Sequence, residues 1–168
     1  MGYNTDFQGE FVFEEPLSIE QEEYLRAFCN TRRMKRNALI VKELEDTRRK
    51  AVKLPVGIEG EFYVGSADDG NHGQSKDKSV LDSNTPPRTQ PGLWCGWTPS
   101  EGGEALVWCG QERFYNYIEW IKYIVRKFVK RWGLVLDGEV MWQGESLGDV
   151  GKIVIKKNVI KVKKPRWD

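Results

Sequence analysis

The sequence predicts an α+β fold in a single domain, with a mainly antiparallel sheet and two principal helices packed on it. Segments that alternate between apolar and polar residues lie near both ends of the chain, and such segments are typical of strands. Two longer segments carry apolar residues at helical spacing and separate the strand-like ones. The length of 168 residues matches one domain. We therefore expect helices on one face of a sheet.

The first strand and the first helix follow from the N-terminal part of the sequence. Residues 7–13, "FQGEFVF", alternate as a strand does. Ser18 fits a helix N-cap, and Gln21, three residues later, completes a capping box. The helix is expected to run to about Met34, so that the basic residues of "TRRMKR" stabilise the negative end of the helix dipole. Its predicted buried residues are Tyr24, Leu25, Phe28 and Cys29.

The middle of the sequence shows no long periodic segment. Residues 36–54 are compatible with a second short helix, and "EFYVG" at 61–65 predicts a short strand. Residues 66–90 are rich in Gly, Ser, Asp, Asn and Pro and show no periodicity. They predict a long irregular loop, which in a domain of this size is either mobile or functional.

A hairpin and a long amphipathic helix are predicted next. Residues 93–97 and 104–109 flank the turn "TPSEGG", and we expect Trp97 to pair with Glu104. In the helix that follows, apolar residues repeat at intervals of three and four and end before Gly133, a natural C-terminal stop. The apolar stripe consists of Phe114, Tyr117, Ile118, Ile121, Val125, Phe128 and Trp132.

The C-terminal part of the chain predicts strands at 134–136, 139–142, 152–155 and 159–162. Its segment "KIVIKKNVIKVKK" alternates between apolar residues and lysines, with a turn at Lys157-Asn158. This pattern predicts a hairpin with one apolar and one lysine-rich face, or a charged edge that opposes aggregation.

Charge and cysteine content limit the classes of function. The net charge of +1 argues against a strongly basic nucleic-acid binder. The charges are segregated, however: residues 1–25 hold seven acidic and no basic side chains, and 152–166 hold seven basic and no acidic ones. Such blocks form solvated faces, pair with one another or attract an anionic partner. No signal peptide or membrane helix is recognisable and the three cysteines are widely spaced, so we expect a cytoplasmic protein.

The sequence contains no recognisable catalytic motif. There is one histidine, His72, and no cysteine pair with zinc spacing. Phosphate-binding loops, dinucleotide fingerprints, metalloprotease motifs and nucleophile elbows are absent. His72 with Asp68 and Asp69 would suit a divalent metal, and a solvated loop is the alternative. Our first interpretation therefore has no catalytic residue, no metal and no cofactor.

Tryptophan and arginine provide the positive signal. Seven Trp, seven Phe and six Tyr exceed the needs of an apolar core of this size. Trp120 falls off the apolar stripe, on the flank that carries Arg113, so this flank either packs under another element or stacks a planar ligand. Pro86-Pro87 stiffens the chain before Arg88, which reduces the entropy lost on binding an anion, although a rigid crossover that brings the loop back to the sheet is the alternative. The predicted ligand-binding residues are Arg88, Trp94, Trp97, Trp108, Arg113, Trp120 and Trp142.

Five segments stand out together: "GYNTDFQGEF", "PPRTQPGLWCGW", "ERFYNYIEWIKYIVRKF", "WGLVLDGEVMWQGE" and "GKIVIKKNVIKVK". They resemble a family of small bacterial, phage and prophage proteins. The resemblance covers most of the chain outside about residues 36–80. It implies no activity and no catalytic residues, but it implies a mobile-element setting in which small binders block host defence.

Three functions are compatible with these observations. The first is a non-enzymatic protein that binds a nucleotide-like or other anionic small ligand through its aromatic and arginine residues and sequesters a host defence signal. The second is a protein-interaction inhibitor of a host defence complex, similar in role to an anti-CRISPR protein, with the aromatic residues as interface anchors. The third is a metal-dependent hydrolase or nuclease. Nucleic acid is a less favoured partner because the basic residues lie in separate segments, and no membrane contact is expected.

Overall fold

The structure, a computed structural model, describes residues 2–65 and 76–165. It confirms the predicted α+β class with a mainly antiparallel sheet. The chain divides into two compact units: unit 1 is Met1–Leu17 with Gly96–Asp168, and unit 2 is Ser18–Cys95. The organisation of the whole chain as a single domain stays a prediction.

Strands and helices are mostly short. In chain order the strands are β1 (Thr5–Phe13), β2 (Lys35–Arg36), β3 (Val80–Asp82), β4 (Trp97–Pro99), β5 (Ala105–Trp108), β6 (Leu136–Gly144), β7 (Val150–Lys156) and β8 (Val159–Lys163). The α-helices are α1 (Ile19–Asn30), α2 (Ala38–Val41), α3 (Thr47–Ala51) and α4 (Tyr117–Ile124). The longest two, α1 and α4, are the principal helices that the sequence predicts.

Unit 1 is built on a six-stranded sheet in the order β4-β5-β1-β6-β7-β8, in which every neighbouring pair is antiparallel. The predicted alternation of β1 is confirmed, because Phe7, Phe11 and Phe13 are buried while Gln8 is exposed. β1 lies between β5 and β6 and pairs along its full length with β6, which is distant in the chain. A non-local pairing of this kind leaves no mark in local sequence patterns.

Two glycines allow β1 and β6 to approach each other. Gly9 has φ +111° and Gly138 has φ +139°, a region that side chains rarely adopt. A Cβ atom on Gly9 would collide with the carbonyl oxygen of Glu139, and one on Gly138 with the carbonyl oxygen of Glu10. Glycine is therefore required at both positions for this pairing.

The helix predicted over 114–132 is shorter than expected and changes its period. It begins at Tyr117, after Asn116 in the left-handed conformation with φ +59°, so Phe114 precedes it. The range Val125–Val129 continues α4 as a π-helix, whose wider turn rotates the apolar stripe around the axis. Gly133, with φ +69°, ends the segment as predicted.

The register of the β4–β5 hairpin differs from the predicted one. Trp97 pairs with Trp108 rather than with Glu104, and β4 begins at Trp97. Glu104 belongs to the connection, which closes with a hydrogen bond from Ser100 N–H to the carbonyl oxygen of Ala105 at 2.8 Å. Two glycines in left-handed conformations shorten this connection, and the sequence pattern does not reveal how many residues the turn takes.

The final strands join segments that the sequence separates. The two segments predicted at 134–136 and 139–142 are replaced by one strand, β6, which begins only at Leu136 and ends at Gly144. The predicted turn of the last hairpin is confirmed, because Lys157 has φ +45° and Asn158 has φ +69°, as a type I′ turn requires. The Asn158 side chain holds this turn against β6 by accepting a hydrogen bond from Leu136 N–H at 2.7 Å.

In unit 2, the capping box that starts α1 is confirmed. Gln21 N–H donates to Ser18 Oγ at 3.1 Å and Ser18 N–H donates to Gln21 Oε1 at 2.9 Å. The four side chains predicted to be buried are buried. The helix ends at Asn30 rather than Met34, where Thr31 donates its hydroxyl hydrogen to a carbonyl of the last turn. The "TRRMKR" segment lies beyond the helix, so the interpretation of its arginines as dipole partners is wrong.

The rest of unit 2 is irregular. Residues 36–54 hold two short helices, α2 and α3. The strand predicted at 61–65 is absent, because a 3₁₀ turn at Ile58–Gly60 with two left-handed residues turns the chain immediately before it. Part of the predicted loop 66–90 is regular, since β3 pairs with β2. Residues 66–75 of that loop lie outside the described residues.

Buried polar side chains are concentrated in unit 2. Among the described residues, nine polar or charged residues are buried, and all but Thr5 belong to this unit. Arg36 is 2% exposed and donates to Asp77 Oδ2 at 3.0 Å and to Ser79 Oγ at 2.8 Å. Arg33 donates to a backbone carbonyl at 2.8 Å. These two arginines of "TRRMKR" therefore stabilise the interior of unit 2.

Candidate ligand groove

The seven predicted ligand-binding residues are divided between the two units. Arg88 and Trp94 belong to unit 2, where Arg88 is exposed and Trp94 is half-buried. The other five belong to unit 1, namely Trp97, Trp108, Arg113, Trp120 and Trp142.

Three of these tryptophans belong to the aromatic core of unit 1. Trp97 is 1% exposed, its ring centroid lies 5.4 Å from that of Phe7, and its Nε1–H donates to the carbonyl oxygen of Tyr117 at 2.9 Å. Trp108 is half-buried, with its ring centroid 5.3 Å from that of Phe7. Trp142 is 4% exposed and lies 5.6 Å from the Tyr117 ring. Core packing therefore explains Trp97, and Trp142 is buried beside Tyr117 as well.

The flank of α4 that carries Trp120 is buried as well. Trp120 is 0% exposed, and its ring meets Tyr123 edge-on at 5.5 Å. The prediction that Trp120 stacks a ligand at the surface is wrong, because a helical wheel does not show what covers the helix. Arg113 is exposed, and its side chain packs across Gly2. It does not share a helix flank with Trp120, because α4 begins only at Tyr117.

Residues 88–90, which follow Pro86-Pro87 in unit 2, are held by hydrogen bonds to Glu59 and Glu61. Arg88 N–H donates to Glu59 Oε1 at 2.7 Å, and this hydrogen bond lowers the pKa of Glu59. The Thr89 hydroxyl donates to Glu61 Oε1 at 3.0 Å, and Gln90 Nε2 donates to the Glu61 carbonyl oxygen at 2.7 Å. These hydrogen bonds hold residues 88–90 against Glu59 and Glu61 within unit 2, and the role of Pro86-Pro87 stays a prediction.

A different surface of unit 1 has the form of a binding site. We call the face of its sheet opposite to the buried phenylalanines of β1 the open face. Strand register places Gln8, Met141, Lys152 and Lys163 side by side across it. A groove of about 640 Å³ lies at this row and is named the sheet groove. Its lining includes Gln8, Met141, Gln143, Val150, Lys152 and Lys163.

The charges of the sheet groove are unequal at its two sides. Asp6 lines the β1 side, whereas Lys152, Lys163 and Lys164 line the side formed by β7 and β8. Lys152 Nζ lies 3.0 Å from Glu139 Oε2 in an ion pair at the surface, where such pairs are weak. No acidic side chain of the described residues lies within ion-pair distance of Lys163 or Lys164. This side of the groove is therefore suited to an anion.

Asp149 anchors Trp142, which is one of the lining residues of the sheet groove although Asp149 is not. The Trp142 ring crosses Gly151, where a Cβ atom would collide with the indole. Trp142 Nε1–H donates to Asp149 Oδ1 at 3.0 Å, and the Tyr3 hydroxyl donates to Asp149 Oδ2 at 2.7 Å. Burial, and then the negative charge of Asp149, raise the pKa of Tyr117 to about 12. Tyr117 therefore stays neutral even near pH 10, where an ordinary tyrosine is half ionised.

The metal hypothesis concerns residues that the structure does not describe. Asp68, Asp69 and His72 lie outside the described residues. Within 2–65 and 76–165, no group of three or more His, Cys, Asp or Glu side chains is placed to hold a metal ion. In the same part of the chain, no helix combines the length and the apolar character needed to cross a membrane.

Most residues of the sheet groove are not among the predicted site residues, and Trp142 is the one that both sets share. The alternation of β1 and β6 contains a usable signal, because it turns Gln8, Met141 and Gln143 away from the buried face. The lysine-rich face of the last hairpin is a second signal. What the sequence does not show is that β1 pairs with β6, and this pairing brings the two signals together.

No family profile matches this sequence, and no curated protein or solved structure is significantly similar to it. The functional argument therefore depends on the geometry and chemistry of the sheet groove.

Proposed function

We propose that this protein binds a small anionic molecule with an apolar body in the sheet groove and does not transform it. The observation that carries the proposal is the groove itself. Its volume of about 640 Å³ is within the range of about 300–1,000 Å³ that is typical of small-molecule sites.

The lining supports this class of ligand. Lys163 and Lys164 at one side supply positive charge to an anionic group. Met141, which is 59% exposed, supplies apolar surface that water covers poorly. The Gln8 and Gln143 amides can orient polar groups of the ligand through hydrogen bonds. Trp142, the tryptophan in the lining, is only 4% exposed, so stacking on it adds little to affinity. We expect the anionic group and the apolar body of the ligand to supply most of the binding free energy.

Binding is favoured over catalysis by the composition of the lining. Asp6 is the single carboxylate among the lining residues, and histidine and cysteine are absent from that lining. General acid–base catalysis depends on a group of suitable pKa in reach of the reacting atoms. In the mobile-element setting that the sequence resemblance implies, a binder of this type would act by sequestering an anionic signal of the host.

Thermal unfolding against a panel of anions tests the proposal. The panel contains nucleoside monophosphates, cyclic dinucleotides, ADP-ribose and aliphatic and aromatic carboxylates. A ligand at about one hundred times its Kd adds about 2.7 kcal/mol to the free energy of unfolding. For a chain of this length we expect the midpoint to rise by about 5–10 °C. If no compound of the panel changes the midpoint, the proposed function is wrong.

Substitution inside the groove locates the site. Met141→Glu places a carboxylate beside the bound anion and is expected to weaken binding at least about tenfold in titration calorimetry, equivalent to about 1.4 kcal/mol. Val12→Glu is the matched control, because Val12 is 43% exposed on the same face of β1 and does not line the groove. Equal affinities of the Met141→Glu variant and the unaltered protein would place the ligand elsewhere.

A further inference from the structure

The two edges of the unit 1 sheet are protected to different degrees. β4 forms one edge with three residues, and its Pro99 has no N–H to donate. β8 forms the other edge with five residues and no proline. Short strands and proline are common protections of sheet edges, and β8 has neither. β8 is therefore the edge to which another strand can pair.

The geometry of the last hairpin shows which backbone groups of β8 are available. The two-residue turn before β8 makes Lys156 and Val159 the first hydrogen-bonded pair. Because this pattern alternates, Ile160 and Val162 direct their N–H and C=O groups away from β7. Within residues 2–65 and 76–165, no backbone hydrogen bond from outside the sheet reaches these groups. The edge thus presents two donors and two acceptors.

The side chains of β8 alternate in chemistry as well as in direction. Ile160 and Val162 lie opposite two buried isoleucines of β7, yet Ile160 is half-buried and Val162 is 39% exposed. Lys161 and Lys163 project from the open face and are exposed. A strand added at this edge would meet apolar side chains on one face and lysines on the other.

A second copy of this chain is a poor occupant of the edge. Antiparallel pairing of two β8 strands centred on Lys161 would place that lysine opposite itself and Val159 opposite Lys163. Like charges directly opposite each other destabilise a strand pair, and lysines at an edge oppose self-association. The same lysines attract a strand that carries acidic residues at alternate positions.

We propose that the β8 edge binds an extended segment of a partner protein in which acidic residues alternate with apolar ones. Main-chain hydrogen bonds to Ile160 and Val162 supply affinity, and the lysines select the sign of charge. This inference is independent of the proposed small-molecule function, because it depends on the backbone of β8. Lys163 lines the sheet groove as well, so the variants that test the edge leave it unchanged.

The direct test uses a synthetic peptide of about nine residues in which glutamate and valine alternate, long enough to span β8. Fluorescence anisotropy measures its affinity, and amide exchange by NMR locates it. We expect the amides of Ile160 and Val162 to gain protection while the Lys161 amide, already bonded to β7, stays unchanged. A peptide with lysine in place of glutamate is expected to bind at least about tenfold more weakly.

A backbone variant separates strand addition from simple charge attraction. Val162→Pro removes one outward N–H without breaking a bond to β7, because proline is tolerated on the free side of an edge strand. We expect a loss of affinity of at least about tenfold. Val162→Thr keeps the N–H and the β-branched shape, and it is expected to bind within about twofold of the unaltered protein.

Several outcomes would overturn the inference. Equal binding of the lysine peptide, or no new protection at Ile160 and Val162, shows that no acidic strand is added. A single-stranded oligonucleotide that binds at β8 where the peptide does not would identify a surface for nucleic acid instead. A dimer joined through β8 in sedimentation would contradict the charge argument. Met141→Glu should leave peptide binding within about twofold, so failure of the groove and failure of the edge are distinguishable.

Discussion

The two units of this protein satisfy their backbone groups in different ways. In unit 1, long strands exchange backbone hydrogen bonds, and the interior holds large apolar side chains such as Trp97, Phe11 and Phe114. In unit 2 the strands have only two and three residues, so side chains must bond to the backbone instead. All five buried charged residues among those described belong to unit 2, namely Arg33, Arg36, Asp46, Arg49 and Glu61.

The segment at 61–64 shows how this works. The Tyr24 hydroxyl donates to the carbonyl oxygen of Phe62 at 2.8 Å, and Arg33 donates to the carbonyl oxygen of Glu61 at 2.8 Å. Val64 N–H donates to the carboxylate of Asp46 at 3.2 Å. These bonds replace the partners that a neighbouring strand would supply. The comparison teaches that a buried irregular segment requires buried polar side chains, whereas a sheet of long strands leaves its interior to aromatic residues.

The largest effect is expected from a substitution in the aromatic core of unit 1. Trp97→Ala removes a ring that packs against Phe7, Phe11 and Phe114, and should lower the free energy of unfolding by about 3–5 kcal/mol. Urea denaturation measures this loss, and hydrogen exchange should report it in peptides of unit 1. Leu147→Ala is the control, because Leu147 is 91% exposed and its loss should cost less than about 0.5 kcal/mol. Similar losses for both variants would contradict an aromatic basis of stability.

A smaller loss is expected when a buried charge of unit 2 loses its partner. Asp46 is 0% exposed and accepts from Arg49 Nε at 2.5 Å. Asp46→Ala leaves Arg49 buried without this carboxylate and should cost about 3 kcal/mol in urea denaturation. Exchange should rise in peptides around Val64, whose N–H loses its acceptor.

The double variant Asp46→Leu with Arg49→Met removes both charges together. It is expected to recover most of the stability, because apolar side chains of similar size often replace a buried ion pair without loss. Glu43→Ala is the control, because it removes an exposed carboxylate close to Asp46 in the sequence and should change the free energy of unfolding little. If the free energy of unfolding of the double variant is no higher than that of Asp46→Ala, apolar side chains cannot substitute for the buried ion pair in unit 2.

The smallest effect concerns the pH dependence of unit 2. Hydrogen bonding from Arg88 N–H, and then from Lys35, lowers the pKa of Glu59 below its usual 4.5. A carboxyl whose pKa is lowered by folding adds stability above its unfolded pKa and loses this contribution as the pH falls through its folded pKa. Glu59→Gln should therefore be less stable than the unaltered protein at pH 7, with a difference that shrinks below about pH 4.5.

Urea denaturation at a series of pH values checks this prediction. The difference is expected to stay within about 0–1 kcal/mol, because the pair lies near the surface. A difference that is constant with pH would show that Glu59 acts by packing rather than by its charge.

Features that depend on a few neighbouring residues are predictable from the sequence. The capping box at Ser18, the alternation of β1, the turn at Lys157-Asn158 and the stop at Gly133 are confirmed. Each of them is decided by contacts within one turn or one strand. The lysine-rich face that contributes to the sheet groove belongs to the same group, since it follows from alternation alone.

Features that depend on distant residues are not predictable in this way. The register predicted for β4 and β5 is wrong, because the sequence pattern does not show how many residues the connection between them takes. The strand expected at 61–65 is absent because the 3₁₀ turn at Ile58–Gly60 redirects the chain, and side chains from other segments then satisfy the backbone groups of 61–65. The sheet groove is not predictable from the sequence, because it requires β1 to pair with β6, and most of the chain separates these two strands.

The sequence by itself determined the α+β class, the two principal helices, the apolar and lysine faces of the last hairpin and the buried residues of α1. Alternation, helical spacing and capping act over a few residues, so these features do not need the rest of the fold. Only the tertiary structure decided that Trp97 and Trp120 are buried in the core. It also decided that Gln8 and Met141 share a groove. An aromatic side chain suits an interior and a binding site equally well, and only the partners brought by distant strands decide between them.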